Sequence, residues 1–268
     1  MDLNNKTWVM GILNVTPDSF SDGGKYTTVE QAVSRGRQMI EDGADIIDVG
    51  GESTRPGYAM ISDDAEIARV VPVIKALKKE CDVLISIDTY KAGVAEAAIR
   101  AGADIINDIW GAKYDPAIAR VAAKWGVPII LMHNRDAASY MDFWPDVQRD
   151  ISDSIRIALD AGVCKEKIWL DPGIGFAKTA AHNIEMMQRL EEFVSLGYPV
   201  LLGTSRKSLI GKVLGLPVGE RLEGSLATVC FGVDRGCQIV RVHDVKETSR
   251  AVRMMDVLTG KTKYKEAK

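Results

Sequence analysis

The chain has 268 residues, of which 46% are hydrophobic, and a formal net charge of −3 with a pI near 5.7. This length can bury the core of one α/β domain, and the slightly acidic balance supplies no basic field for a polyanion such as DNA or RNA. The apolar stretch at residues 8–13 is too short to span a bilayer and no later run approaches about 20 apolar residues, so we expect neither a membrane protein nor a secreted one.

Short β-branched runs alternate with longer amphipathic stretches along the whole chain, without a linker or a low-complexity segment. Most of the short runs are continuously apolar, which is typical of parallel strands covered on both faces. The predicted strands are residues 8–13, 45–49, 83–87, 104–106, 128–132, 167–170, 199–202 and 238–242.

Helical periodicity fills the intervals between these strands, for example at residues 29–41, 65–79, 93–101 and 180–196. Several of the helical stretches end at a glycine placed just before the next strand, as a left-handed C-cap requires; these are Gly43, Gly102, Gly126 and Gly197. Eight such units predict an α/β fold of the (β/α)8 TIM barrel type, as a single domain over residues 1–268. An open, doubly wound parallel sheet is the alternative.

The four cysteines, Cys81, Cys164, Cys230 and Cys237, form no Cys-x-x-Cys pair and lie in apolar or helical surroundings. This pattern is typical of buried, reduced thiols and predicts a cytoplasmic protein.

Polar residues interrupt the apolar strands at their C-terminal ends or directly after them. In a barrel these ends converge on one mouth, where barrel enzymes carry their chemistry. The residues concerned are Asn14, Glu52 with the following Ser53, Thr54 and Arg55, then Asp88, Asn107, His133 with Asn134, Asp171, Lys207, and Arg241 with His243.

Taken singly, several of these residues have a purely structural interpretation. Asp88 or Asp171 can cap the helix that follows. His182, near the start of a predicted helix and away from the strand ends, is expected to be a surface or capping residue. The joint placement at eight strand ends favours a binding site over capping alone.

Two glycine-containing segments resemble nucleotide-binding motifs but lack an essential element. Residues 173–178 have no third glycine, and residues 203–208 lack the glycine that precedes the lysine of a phosphate-binding loop. The chain also has no clustered His and Cys ligands for zinc and no Gly-x-Ser-x-Gly elbow of a serine hydrolase.

Whole blocks of strand plus loop resemble the dihydropteroate synthase family, and together they cover nearly the whole chain. They lie at residues 10–24, 45–57, 86–89, 106–109, 131–134, 170–176, 203–208 and 240–243. The resemblance implies an enzyme that joins 6-hydroxymethyl-7,8-dihydropterin diphosphate to p-aminobenzoate and releases 7,8-dihydropteroate and diphosphate.

The resemblance also implies which residues bind the pterin. A pyrimidinone edge presents two parallel N–H donors, which one buried carboxylate can accept together, and Asp171 matches the family residue for this role. Asn107 and Asp88 would contact the remaining ring nitrogens, and Lys207 the ring carbonyl, with Met132 and Gly203 completing the pocket.

Arg241 and His243 lie two residues apart on the last strand, so both side chains face the same way and can reach one phosphate group. Asn14 resembles the family's ligand for a Mg2+ ion bound chiefly by the diphosphate. The resemblance implies that Arg55 also binds the diphosphate.

Two long loops, at residues 15–26 and 50–59, follow the first two strands, and in the family they close over the substrates. The structural alternative is that these loops form an ordinary flexible rim. Asp22 and Arg55 are their expected working residues, and the expected p-aminobenzoate slot comprises Phe20, Thr54, Pro56, Phe176, Lys207 and Ser208.

An aromatic amine is a poor nucleophile, whereas a dihydropterin can stabilise a cation at its exocyclic methylene, so we expect a dissociative substitution supported by electrostatic preorganisation. The residues expected to act in catalysis are Asp22, Arg55, Asp88, Lys207, Arg241 and His243.

Two alternative functions use a similar pocket: a pterin-binding methyltransferase, and a pterin-binding relative without turnover. The intact segments 205–208 and 241–243 argue against the first, and nothing in the sequence indicates the second. Family membership further implies inhibition by sulfonamides and a homodimer, formed through helices expected within residues 220–232 and 245–258.

Overall fold

The computed structural model describes residues 3, 5–16, 25–52 and 60–264, with the side chains of residues 25–28 left out of the description. The described residues form eight strands: β1 (Trp8–Asn14), β2 (Ile46–Gly50), β3 (Leu84–Asp88), β4 (Ile105–Asp108), β5 (Ile129–Met132), β6 (Ile168–Asp171), β7 (Leu201–Leu202) and β8 (Ile239–Val242). Their α-helices are α1 (Lys25–Glu41), α2 (Asp63–Glu80), α3 (Ala92–Ala101), α4 (Ala117–Trp125), α5 (Phe143–Asp160), α6 (Ala180–Gln188), α7 (Leu190–Val194), α8 (Ser208–Leu214), α9 (Leu222–Asp234) and α10 (Val245–Leu258).

All strand pairings are parallel, in the order β6-β5-β4-β3-β2-β1-β8-β7. A parallel bridge between Leu170 and Val200 joins the two outer strands of that order, and Leu170 N donates to Pro199 O over 2.8 Å. The sheet is therefore closed, which confirms the predicted (β/α)8 barrel and excludes the open sheet.

Two apolar clusters make up the core. The larger one lies between the strands and the surrounding helices, and the smaller one fills the barrel itself with Met10, Ile46, Ile105, Ile130, Trp169, Leu201 and Ile239. Because strand side chains alternate between faces, the residues two positions after these also point into the barrel, toward its C-terminal end. This alternation determines which polar residues reach the mouth.

The predicted strand boundaries are correct to within two residues, and the two-residue differences are at the end of β4 and at the start of β7. Pro199 lacks the N–H that a central strand donates, and Val200 contributes only the isolated bridge, so β7 is limited to Leu201 and Leu202. The single helix predicted at residues 180–196 is wrong, because it divides at Arg189 into α6 and α7.

The predicted glycine caps are confirmed. Gly102 and Gly126 close α3 and α4 in the left-handed conformation, and Gly43 and Gly197 also have positive φ angles, of 105° and 80°. Residue 26, which we expected in the first loop, belongs to α1, since that helix starts at Lys25.

The four cysteines are free thiols, but the expectation that all are buried is wrong: Cys164 is exposed, whereas Cys237 is buried. Among the described residues, no helix has the length and apolar character needed to cross a membrane.

Candidate active site

The mouth of the barrel is built from residues that the strand register brings to one level. Asn14 pairs with Gly50, Gly50 with Asp88, and Asp88 with Asn107, so four consecutive strands end side by side. On the other side of the barrel, Met132 pairs with Asp171. The sequence prediction that these strand ends share one mouth is therefore met by the register.

Arg241 lies at the centre of the polar cluster. Its Nε donates to Asp48 Oδ2 and its Nη2 donates to Asp88 Oδ2, both over 2.6 Å. Asn107 Nδ2 also donates to Asp48 Oδ2, over 3.1 Å. These four side chains, from β2, β3, β4 and β8, therefore form one connected network across the inside of the barrel.

Asp171 and Lys207 lie on the other side of the same cavity. Asp171 Oδ1 accepts the backbone N–H of Gly173 over 2.7 Å. A methyl group added to Gly203 would lie 3.9 Å from each of Asp171 Oδ2, Lys207 Nζ and Arg241 Cβ. Gly203 therefore leaves a space around which these three side chains meet.

Lys207 connects this cavity with the loop after β6. Its ammonium donates to the carbonyl of Ile174 and lies 4.6 Å from the centre of the Phe176 ring. Ser208 follows directly, as the exposed first residue of α8. Phe176, Lys207 and Ser208, all expected in the p-aminobenzoate slot, thus lie along one side of the mouth.

Burial dominates the electrostatics of Asp88 and Asp171. It raises the pKa of Asp88 to about 7, with Arg241 acting against the shift and Asp48 adding to it. Burial likewise raises the pKa of Asp171, partly offset by Lys207 and by the N–H of Gly173. Both carboxylates are therefore held in a site where a cationic or N–H-rich ligand would stabilise their charge.

The two cations respond differently to burial. The pKa of Lys207 falls to about 8, because burial outweighs the attraction of Asp171. Burial alone would also lower the pKa of Arg241, but Asp48 and Asp88 outweigh it, and this pKa lies above its usual value. Arg241 consequently stays charged throughout the physiological range.

Two carboxylate oxygens of the network have no hydrogen-bond partner among the described residues: Asp48 Oδ1 and Asp88 Oδ1, both buried. A buried oxygen without a donor costs free energy, on the order of 1–3 kcal/mol. A ligand that brings N–H donors or positive charge to these two oxygens would therefore be stabilised on this side of the mouth.

Asp48 is the site residue that the sequence prediction missed. It is fully buried and follows Ile46 by two positions, so its side chain points into the barrel, on the C-terminal side of the smaller apolar cluster. The signal was present in the sequence, since an aspartate stands inside the otherwise apolar strand Ile46–Gly50.

His133 was expected to face the mouth, and this is wrong. It follows the inward Met132 by one position and so points outward, where it is fully buried behind the sheet. Its Nε2 lies 3.0 Å from Asp150 Oδ2 and its Nδ1 lies 2.8 Å from Lys178 Nζ. Asn134, beside it, donates from Nδ2 to the carbonyl of Ile109.

The expectation that Glu52 faces the mouth is likewise wrong. Glu52 accepts Lys91 Nζ and the Tyr90 hydroxyl, each over 2.6 Å. Lys91 also donates to the carbonyl of Ile61 over 2.7 Å. These contacts join the residues on either side of segment 53–59, which gives Glu52 a structural role.

Asn14 and His243 lie on the rim. Asn14 is exposed, and a methyl group added to Gly50 would lie 3.6 Å from Asn14 Oδ1 and 3.7 Å from Asp88 Oδ2. His243 follows β8, with its Nδ1 3.0 Å from the hydroxyl of Ser205. His182 forms a capping box with Thr179 at the start of α6, as expected. The remaining predicted residues, Phe20, Asp22, Thr54, Arg55 and Pro56, lie outside the described part of the chain.

The chain is similar to characterised proteins over nearly all of its length. The family profile described as "Pterin binding enzyme" matches residues 10–243. The dihydropteroate synthase of Bacillus subtilis (strain 168) is 58% identical over 97% of this chain and 92% of its own length.

Solved structures have the same fold. The dihydropteroate synthase from Clostridium difficile, determined in the presence of pteroic acid, has a TM-score of 0.94 and 50% identity, over 96% of this chain and 98% of that one. The Yersinia pestis dihydropteroate synthase in complex with a sulfonamide drug has a TM-score of 0.89 and 42% identity, over 97% and 96% of the two chains. The chain therefore belongs to the dihydropteroate synthases of the pterin-binding enzyme family, transferases that condense a dihydropterin diphosphate with p-aminobenzoate in folate biosynthesis.

Proposed function

We propose that the mouth of this barrel binds both substrates and carries out the synthase reaction by a dissociative substitution. The C–O bond to the diphosphate of 6-hydroxymethyl-7,8-dihydropterin diphosphate breaks first. The amine of p-aminobenzoate then forms a C–N bond to the exocyclic methylene and gives one proton to the diphosphate or to water, which yields 7,8-dihydropteroate. The observation that carries the proposal is the pairing of Arg241 with Asp48 and Asp88, whose Oδ1 atoms have no donor in the described part of the chain.

The pterin half occupies the acidic, inner part of the mouth. Asp171 accepts the two parallel N–H donors of the pyrimidinone edge, and Lys207 donates to the ring carbonyl. Asn107 and Asp88 contact the remaining ring nitrogens, and the N–H groups of the ring satisfy Asp88 Oδ1. The space at Gly203 and the buried side chain of Met132 admit a flat heterocycle.

The diphosphate half meets Arg241, His243 and Asn14 at the outer part of the mouth, together with Arg55 from the second loop. Arg241 keeps its charge because its carboxylate neighbours hold its pKa above the usual value. A fixed cation costs little reorganisation as negative charge develops on the departing oxygen. Asp88, which accepts Arg241 Nη2, offsets positive charge on the pterin.

Asn14 fits a Mg2+ ion held chiefly by the diphosphate. Mg2+ prefers oxygen ligands and keeps several waters, and Asn14 Oδ1 and Asp88 Oδ2 lie 3.6 and 3.7 Å from the position of a methyl group added to Gly50. When bound, the ion neutralises negative charge on the diphosphate.

The amine substrate lies against Phe176, Lys207 and Ser208, with Phe20, Thr54 and Pro56 completing the slot and Asp22 acting from the first loop. The contact between the Lys207 ammonium and the Phe176 ring supports this placement, because it holds two residues of the slot next to each other. Sulfonamides, which resemble p-aminobenzoate, are expected to compete for the same slot.

We further propose that residues 1–268 form a single cytoplasmic barrel domain that assembles as a homodimer. Exposed apolar side chains on the later helices support the dimer: Phe231 on α9, and Met254 and Leu258 on α10. An apolar groove of about 350 Å³ lies nearby, lined by residues of α6, α8 and α9. Sedimentation velocity tests this assignment, and a monomer at micromolar concentration would contradict it.

A diphosphate-release assay with the purified chain tests the function. With both substrates and Mg2+, release should be saturable in p-aminobenzoate, and chromatography should show 7,8-dihydropteroate in equal amount. Release of methyl groups from methyltetrahydrofolate to a corrinoid, without diphosphate release, would indicate the methyltransferase. Binding of the pterin without either reaction would indicate a non-catalytic relative.

A further inference from the structure

Ser205 makes an unusual pair of contacts with His243. The serine is buried, and its Oγ lies 3.1 Å from the backbone N of His243 and 3.0 Å from Nδ1 of the same residue. One hydroxyl therefore contacts both the main chain and the ring of a residue that the proposed function places at the diphosphate.

The proton positions follow from counting donors and acceptors. A backbone N–H can only donate, so Ser205 Oγ accepts in that contact. The hydroxyl still has one proton to donate, and Nδ1 of His243 is its other contact among the described residues. A buried O–H without an acceptor raises the free energy of the folded chain. The arrangement of lowest free energy therefore has the Ser205 hydroxyl donating to an unprotonated Nδ1.

We propose that Ser205 is a positioning residue which holds His243 as its Nε2–H tautomer, so that the neutral ring presents a proton at Nε2 to the diphosphate. In a neutral imidazole one nitrogen carries the proton and the other accepts, and the bond at one nitrogen determines the state of the other. This inference rests on the proposed function for its consequence in catalysis, though the tautomer itself can be observed without turnover.

The surroundings of Ser205 restrict its movement. Thr204 Oγ1 and Thr228 Oγ1 are 2.8 Å apart, and Arg206 N donates to Ser225 Oγ over 3.0 Å, so α9 holds the loop on both sides of Ser205. Arg206 Nε also donates to Asp244 Oδ2 over 3.0 Å. Consecutive residues of the two loops are thus paired, 205 with 243 and 206 with 244.

The backbone of this loop supports the same interpretation. Arg206 has a φ of 56°, in the left-handed region that residues other than glycine rarely adopt. This conformation costs energy, so the surrounding contacts have to maintain it. Arg221 contributes by donating from Nη1 to the carbonyl of Arg206 over 3.0 Å. These contacts therefore fix the position of the loop and of the Ser205 hydroxyl.

The first test reads the tautomer directly. Long-range ¹H–¹⁵N spectra of the full chain at pH 8 distinguish protonated from unprotonated ring nitrogens, and His243→Gln assigns the signals against those of His133 and His182. We expect Nε2 protonated and Nδ1 unprotonated at His243. An Nδ1–H tautomer in the wild-type chain would overturn the proposal, whatever the activity.

The second test is kinetic. Ser205→Ala should shift His243 toward a mixture of tautomers and lower kcat/KM for the dihydropterin diphosphate about tenfold, because the bond to a charged ligand is weakened. The KM for p-aminobenzoate should stay unchanged, and Ser205→Thr, which keeps the hydroxyl, should restore much of the loss. Ser154→Ala is the matched control, since Ser154 is buried in α5 without a partner for its hydroxyl among the described residues.

The outcomes separate this inference from the proposed function. If Ser205→Ala leaves both the tautomer and kcat/KM at wild-type values, Ser205 does not position His243. If that variant does not fold, Ser205→Cys fills the same space with a weaker donor and should give an intermediate kcat/KM. An Nε2–H tautomer in a wild-type chain that releases no diphosphate would contradict the proposed function and leave the Ser205 contact intact.

Discussion

Arg241 and Asp48 are separated by 193 positions in the chain, yet their Nε and Oδ2 atoms lie 2.6 Å apart inside the barrel. The Asp48 side chain is fully buried, and its other oxygen has no partner among the described residues. This ion pair links the strand that carries the proposed diphosphate clamp with the acidic side of the proposed pterin site, so changes at either residue should affect the binding of both halves of the substrate.

Removal of Arg241 should impair turnover and stability together. Arg241→Ala leaves Asp48 and Asp88 as unpaired buried carboxylates, and breaking a buried pair in this way costs about 3–5 kcal/mol. Diphosphate release should fall by about 10²-fold or more, as for the loss of one preorganised donor. Steady-state kinetics and urea unfolding measure the two effects.

The control for that variant is Arg235→Ala, because Arg235 is partly exposed and pairs with the exposed Glu191. It should retain wild-type kinetics. Wild-type diphosphate release by Arg241→Ala would show that the guanidinium does not act on the leaving group.

Asp48→Asn should separate catalysis from stability. The change keeps the shape but removes one of the two negative charges on Arg241, and it also weakens the acceptor of Asn107. We expect kcat/KM for the pterin substrate to fall about tenfold, since hydrogen bonds to charged groups contribute on the order of 1.5–3 kcal/mol. Isothermal titration with a pterin measures the binding part of this loss.

Asp256→Asn is the matched variant at the other end of the barrel. Asp256 is also buried and accepts the backbone N and the hydroxyl of Thr7 over 2.9 and 2.7 Å. The Asp256→Asn variant should have a lower free energy of unfolding than the wild-type chain and the same kcat/KM for the pterin substrate. Equal kinetic effects from the two aspartates would argue against a specific role of Asp48 in the site.

Two glycines near the mouth should respond oppositely to alanine. At Gly203 an added methyl group meets its neighbours at 3.9 Å, an ordinary contact, so Gly203→Ala should fold but occupy space intended for the pterin. The KM for the pterin substrate should rise about tenfold, as expected for an overpacked site. At Gly173 the methyl group would lie 2.0 Å from the His133 carbonyl oxygen, with φ at +67°, so Gly173→Ala should unfold or misfold.

Thermal denaturation and pterin titration on both variants check this contrast. A stable Gly173→Ala chain, or a Gly203→Ala chain with wild-type affinity for the pterin, would contradict the description of the mouth.

His133 should make the fold sensitive to acid. Burial lowers its pKa to about 4, despite the Asp150 carboxylate, whereas an unfolded histidine has a pKa of about 6.5. The neutral ring is therefore favoured in the folded chain, and its contribution is present above pH 6.5 and lost as the pH falls toward 4. Between pH 7 and pH 5 the loss should be about 2 kcal/mol.

Asp88 and Asp108 act in the opposite direction over this range, because burial raises the pKa of each to about 7 and their protonation at lower pH relieves a cost. The informative quantity is thus the difference between the wild-type chain and His133→Gln in urea unfolding at the two pH values. No difference between the wild-type chain and His133→Gln would contradict the assignment.

Much of this protein was readable from the sequence. The alternation of apolar runs with amphipathic stretches, and the glycines before the strands, specified the (β/α)8 order, because backbone propensity and side-chain periodicity are local properties. The polar residues at the strand ends, such as Asp88, Asn107 and Asp171, could also be assigned to one mouth, because a barrel brings the C-terminal ends of all its strands together.

The tertiary structure decided which of those residues actually meet. His133 and Met132 are neighbours in sequence, but alternation places one behind the sheet and the other in the mouth, and a shift of one residue in strand boundary reverses that assignment. The pairing of Arg241 with Asp48 and that of His243 with Ser205 depend on register and barrel closure between distant segments. Such contacts arise only when the whole barrel is assembled, because no local property of either segment specifies its partner.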